Sequence, residues 1–300
     1  MRLADVPFGV ADELVFVGTP NDVAALAVDE LRHRVLLVVG NRIIVDRPGC
    51  RYLGETLAGT RIHLCGRLTA GVAGRRIEDE LPGRQGKLLF AYLVANRLRA
   101  AARAELIDAL WADELPSNPE SALSALLSKL RRLVEIDGRR DVRLVLPEGA
   151  WVDVEAASEA LHSAEAAAAR NDAIAAYGPA RVAQHIGART FLAGEQATWI
   201  EEERRRIEDL HARALELVAH ASLVIGGSEI DTAGRAARAL IAAAPYRESG
   251  YRLQMQVFEA QGNRAEALQL YDRLRTLLRE ELGAAPSEAT QELHRVLLGG

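Results

Sequence analysis

Long apolar runs are missing from this 300-residue chain. No stretch reaches the ~18–20 residues that would cross a bilayer, so no membrane partner is expected. Cysteine is nearly absent: Cys50 and Cys65 are the only two, with no metal or redox spacing. They read as reduced thiols of a cytoplasm. The start, Met1-Arg2-Leu3-Ala4-Asp5, lacks a signal-peptide pattern because acids interrupt it before an apolar core can form. These two signs give a cytoplasmic expectation. Aromatic residues make up 5%, and lysine is confined to Lys87 and Lys129, so almost all positive charge is arginine. We read that bias as genomic base composition.

Catalytic signatures are missing too. The histidines are scattered without zinc spacing, and there is no Gly-x-Ser-x-Gly elbow. Gly83-Arg84-Gln85-Gly86-Lys87-Leu88 is too short for a phosphate loop, and no Ser or Thr follows the lysine. The chain is expected not to be an enzyme, with no catalytic residue, metal ligand or cofactor.

What is present is a packed soluble composition, 49% hydrophobic and 26% charged. The net charge of −5 hides a partition. Residues 61–152 carry a net +3, whereas 1–60 carry −2 and 153–300 carry −6. A basic middle between acidic flanks suits a nucleic-acid module joined to protein-binding modules.

Residues 1–60 read as a small α/β unit. Glu13–Val17 resembles a strand, and Thr19-Pro20-Asn21-Asp22 has helix-start chemistry for a helix to about His33. The runs Val35–Val39 and Arg42–Asp46 flank Gly40-Asn41 as a hairpin. So short a piece is expected to pack on its neighbour or to mediate homodimerisation.

From Arg61 to Asp153 come strands, three helices and a closing hairpin, the parts of a winged helix. Leu88, Leu89, Tyr92 and Leu93 mark the first helix; Arg103–Trp111 is the second. Ser117 or Asn118 caps the third, with Pro119 in its first turn, and Leu123, Leu126, Leu127, Leu130 and Leu133 face inward. Ser121, Ser124, Ser128, Lys129, Arg131 and Arg132 lie elsewhere on its surface, as suits a helix entering a major groove. Val142–Leu146 and Trp151–Asp153 around Pro147-Glu148-Gly149 read as the hairpin, the wing. Arg139, Arg140 and Arg143 beside it, and Arg84 and Lys87 near the first helix start, are candidates for gripping phosphates.

After Asp153 the pattern is helical throughout: 155–169, 172–186, 198–224, 230–243, 247–261 and 264–281. A 34-residue period places Ala233 and Ala237 on Ala267 and Tyr271, and Val224 on Phe258. That is the tetratricopeptide period. The fold class is therefore mainly α: a winged helix (61–153), a tetratricopeptide-like helical domain (154–300) and a small N-terminal α/β unit (1–60).

Over about 61–298 the chain resembles the actinobacterial antibiotic regulatory proteins (SARPs), in which a winged helix precedes a bacterial transcriptional activator domain. The resemblance rests on Ile62–Leu68, Arg84–Leu89, Arg103–Trp111 and Ala122–Leu133, and near the other end on Glu266–Tyr271 and Arg279–Ser287. It implies a sequence-specific activator that binds direct repeats in double-stranded DNA near a promoter and recruits RNA polymerase; the homodimer on DNA is expected from residues 1–60 instead. The polymerase-contacting loop would be Asp113, Glu114, Leu115, Pro116 and Ser117. Where the family presents a more polar pair, this chain has Leu126-Leu127, and Glu148 lies in the wing. Those residues favour a second reading, a protein-interaction scaffold whose winged helix no longer binds DNA. A third is a regulator responsive to a small molecule whose identity the sequence does not give.

Overall fold

In a computed structural model, residues 13–17, 24–29, 34–39, 42–45, 59–112 and 114–299 are described. Contacts divide the chain into two units, residues 1–55 and 56–300, taken here one at a time.

The described part of the first unit is an antiparallel meander, β1 (Glu13–Val17), β2 (Ala24–Asp29), β3 (Arg34–Val39) and β4 (Arg42–Val45), ordered β1-β2-β3-β4. The β3–β4 hairpin is as read from the sequence, Val39 facing Arg42 across a two-residue connection. The helix to His33 is not there. Its centre, Ala24–Asp29, is a strand with β1 on one side and β3 on the other. Two ladders of hydrogen bonds outweigh the high intrinsic helix propensity of Ala-Ala-Leu-Ala. The unit is thus β rather than α/β among its described residues, and Thr19–Asp22 lie outside them.

The second unit opens with β5 (Arg61–His63), β6 (Thr69–Val72) and β7 (Arg75–Arg76), followed by α1 (Gly83–Ala95), β8 (Ala101–Ala102), α2 (Arg103–Trp111) and α3 (Pro119–Leu130). Then come β9 (Glu135–Asp137), β10 (Asp141–Val145) and β11 (Trp151–Val152). The start of α3 follows from its sequence. The Asn118 side chain accepts the Ser121 N–H at 3.0 Å, Pro119 occupies the first turn, and Glu120 sits at the positive end of the dipole.

The closing hairpin differs from the sequence reading. β10 pairs antiparallel with β9 and β8, and β11 runs parallel to β5, Trp151 facing Arg61 and Val152 facing Ile62. The wing is therefore β9–β10, turning at Gly138-Arg139-Arg140, while β11 completes the sheet β11-β5-β6-β7. Only Gly fits the turn: Gly138 has φ +82°, and a Cβ there would lie 1.8 Å from the Asp141 carbonyl oxygen.

Seven helices follow: α4 (Asp153–Ala169), α5 (Ala173–Gly187), α6 (Thr198–Ile225), α7 (Ile230–Ala243), α8 (Glu248–Ala260), α9 (Arg264–Leu282) and α10 (Glu288–Gly299). The last had no separate place in the periodicity. Consecutive helices pack as antiparallel neighbours do in helical repeats. The repeat positions Ala233, Ala237, Ala267 and Tyr271 are all buried, and small residues let paired helices approach. Val224 is exposed, whereas its counterpart Phe258 is packed, so the two units are not equivalent at that position.

One apolar core runs from Ile62 through α1–α3 to Ala183, Ile186, Phe191, Ile200 and Ala214. Winged helix and helical region share it, and their main chains join. Leu192 donates its N–H to the Leu64 carbonyl at 2.7 Å, and Gly66 donates to the Thr190 carbonyl at 2.8 Å.

Candidate nucleic-acid interface

The α3 residues that carry the core are Leu123, Leu127 and Leu130, each fully buried. Leu126 is half-buried and packs against the same core. The Leu126-Leu127 pair is therefore the inner face of the helix, and polar residues do not compete for its place. At ~100° per residue the opposite face repeats at 121, 124, 125, 128, 129 and 132. Ser121, Ser124, Ala125, Ser128, Lys129 and Arg132 are all exposed. Sequence reading named five of them and missed Ala125, whose place in the i, i+4, i+7 series Ser121–Ala125–Ser128 was the available signal.

Partners separate these side chains. Lys129, Arg132 and the Ser121 and Ser128 hydroxyls have no side-chain partner among the described residues. Ser124 is engaged: its Oγ donates to the Glu120 carbonyl and accepts from Arg103, both at 2.8 Å. Arg131 turns away from the face and ties the helix end to the wing, donating to the carbonyls of Ile136 (3.4 Å) and Gly138 (2.6 Å). Arg139 and Arg140 are exposed at the wing turn, also without a partner among the described residues. Arg143 lies 4.0 Å from the Asp137 carboxylate.

Arg84 and Lys87 are grouped elsewhere. Arg84 Nε donates to Glu195 at 3.0 Å, and its Nη2 donates to the Gln196 carbonyl at 2.8 Å. Lys87 lines a cleft of about 560 Å³ with Arg67, Arg76, Glu78 and Glu195. Both thus sit against residues 192–196, a placement their sequence separation of more than 100 residues conceals.

In the loop between α2 and α3, Glu114, Leu115 and Ser117 are exposed, Leu115 to 61%, and Pro116 is half-buried. Asp113 lies outside the described residues. Glu148 is exposed in the connection that follows β10. Trp111 is half-buried against the core. Trp151 packs on His63, ring centroids 4.9 Å apart, and so anchors the β5 sheet instead of the wing.

The scaffold below α3 is held by ion pairs and a buried carboxylate. Tyr92 on α1 donates to Glu105 on α2, and Arg99 closes the triangle onto Glu105 at 2.5 Å. Burial and the bond to Glu105 push the Tyr92 hydroxyl up to about 12, while Arg99 holds Glu105 below the usual carboxylate range. At the start of α4, Asp153 accepts N–H bonds from Leu64 (2.9 Å), Cys65 (2.8 Å) and Val154 (2.8 Å). Burial raises its pKa, and the three N–H donors work against that rise. His63 beside it is lowered to about 4 by burial, with Arg189 and Arg61 adding to the effect. Burial also pushes the Cys65 thiol up to about 12, so it is an inert core residue.

Among the described residues no group of three or more His, Cys, Asp or Glu side chains is placed to hold a metal. Among the described residues, no helix is long and apolar enough to cross a membrane.

Residues 152–298 match the family model of the bacterial transcriptional activator domain. Regulatory protein AfsR of Streptomyces coelicolor is 32% identical over 258 residues, covering 84% of this chain. The chain is thus similar to SARP-type regulators over most of its length. AfsR of Streptomyces griseus is 28% identical over 86% of the chain. This chain spans only about a quarter of either relative, 25% and 26% of their lengths. A solved structure of Mycobacterium tuberculosis EmbR, in complex with a low-affinity phosphopeptide, shares the fold. Its TM-score is 0.72 at 22% identity, covering 80% of this chain and 65% of that one.

Proposed function

We propose that this chain, as a SARP-type regulator, binds double-stranded DNA through residues 61–153, laying α3 in the major groove with the β9–β10 wing on the adjacent backbone. The observation that carries the reading is the division of charge on α3. Lys129 and Arg132 end an exposed stripe of small and hydroxylated residues and have no partner among the described residues, whereas most other arginines of the winged helix are tied down. Short side chains let a helix backbone approach base edges, and unpaired cations next to them reach phosphates. Arg139 and Arg140 extend the cationic surface onto the wing.

Residues 154–300 serve as the tetratricopeptide-like activator domain, and DNA binding would be by a homodimer on direct repeats near a promoter. The loop Ala112–Pro119 recruits RNA polymerase, a role its exposed Glu114 and Leu115 support. Activity in the cytoplasm as a non-enzymatic activator follows from the same reading. The scaffold alternative loses its main support, because Leu126 and Leu127 belong to the inner face.

Footprinting of the full chain on the promoter upstream of its own gene tests the DNA reading. Protection of two direct repeats is expected, and no protected sequence at low salt contradicts it. Replacing Glu114 and Leu115 with alanine should leave the footprint intact and lower promoter-dependent transcription with purified polymerase. Full transcription by that variant removes the loop from the account.

A further inference from the structure

Arg103 begins α2, yet its guanidinium belongs to α3. Its Nε donates to Glu120 Oε2 at 2.7 Å. Its Nη2 donates to the Glu120 carbonyl at 3.1 Å and to Ser124 Oγ at 2.8 Å. The Ser124 proton goes to that same carbonyl at 2.8 Å. The Arg103 side chain is 22% exposed. Although Ser124 is on the solvent face, its one proton and one of its two lone pairs are used. Ser128, one turn further along, keeps both.

We propose that Arg103 is a positioning residue that withholds Ser124 from base recognition, so that the hydroxyl contact that selects a base is made by Ser128. This rests on the reading of α3 as the DNA-reading helix. The physical reason is the ambiguity of a serine hydroxyl. Free to rotate, it donates or accepts and so accommodates several base edges. Fastening Ser124 removes one ambiguous contact from the face. The same three bonds fix the first turn of α3 to the start of α2, which sets the angle at which the helix is presented. A forked planar donor is required, since one group must reach Glu120 and Ser124 together, and a lysine ammonium lacks that fork.

The test is selection from randomised duplexes by the full-length chain, with each variant's folding followed by circular dichroism. Ser124→Ala is expected to select the wild-type sequence. Ser128→Ala is expected to lose about fivefold discrimination at one position, the size of one hydrogen bond. Arg103→Met releases Ser124 and changes the preference at a neighbouring position; adding Ser124→Ala restores the wild-type selection. Arg103→Lys should behave as Arg103→Met. Should Arg103→Met fail to fold, Glu120→Gln, which loosens Arg103 at constant volume, carries the same cycle with Ser124→Ala.

A changed preference in Ser124→Ala alone, or none in Ser128→Ala, overturns the proposal. So does an equal loss on all sequences in Arg103→Met that Ser124→Ala does not repair, since that marks a packing role only. If the wild-type chain enriches no sequence at all, the DNA-reading assignment itself fails, which is a distinct result.

Discussion

Two regions of the second unit use arginine in opposite ways. Along the seam between winged helix and helical region, three arginines are committed. Arg97 makes a forked pair with Glu155 at 2.6 Å on both arms, Arg84 holds Glu195, and Arg204 donates to the carbonyls of Phe191, Leu192 and Glu195. On the face of α3 and at the wing turn, Lys129, Arg132, Arg139 and Arg140 have no partner among the described residues. A paired charge holds two elements together; an unpaired one beside short side chains is available to a polyanion. Composition could not separate the two, because it counts both kinds of arginine alike.

The seam can be broken most severely at Asp153. Asp153→Ala leaves the N–H groups of Leu64, Cys65 and Val154 without their acceptor in a buried site. A loss of about 4 kcal/mol in unfolding free energy is expected, to be read by urea titration. A smaller loss is expected at α3. Leu127→Ala empties a fully buried position and should cost about 3 kcal/mol by the same titration, showing that this leucine is core and not a failed base reader. Arg204→Ala removes three main-chain contacts from a side chain 17% exposed, and about 2 kcal/mol is expected.

The smallest effect sharpens the comparison through pH. His63 is held near 4 in the folded chain against an ordinary value of 6.5. Its folded pKa is depressed, so the unfolded chain takes up the proton first as pH falls. The stability contributed by neutral His63 is complete above pH 6.5 and is lost between 6.5 and about 4. Thermal midpoints of His63→Gln across that window should fall less steeply than those of the wild type. Some slope will remain, because burial also lowers His211. Parallel curves for the two proteins would remove His63 from the seam.

Much of this architecture was legible locally. Helices α4 to α9 follow from periodicity and caps, and α3 from Asn118-Pro119-Glu120. What could not be read is what depends on distant partners. The strand Ala24–Asp29 owes its form to neighbours on both sides, and β11 joins β5 from 90 residues away. The same holds at the candidate site. The stripe on α3 follows from helical spacing, but the capture of Ser124 by Arg103, 21 residues distant, and of Arg84 by Glu195 required the fold. Ala125 was legible and overlooked, since a methyl group carries no charge or hydrogen bond to draw notice.

The salt dependence of DNA affinity tests the central distinction most directly. Each cation that neutralises a phosphate adds about 0.9 to the slope of log affinity against log salt. The measurement compares Lys129→Ala/Arg132→Ala with Arg97→Ala/Arg204→Ala, both as full-length folded chains on the same promoter fragment. The account predicts a slope shallower by about 2 in the first, with unchanged stability, and an unchanged slope in the second, with lowered stability. A wild-type slope in the first variant, or a reduced slope in the second, would contradict it.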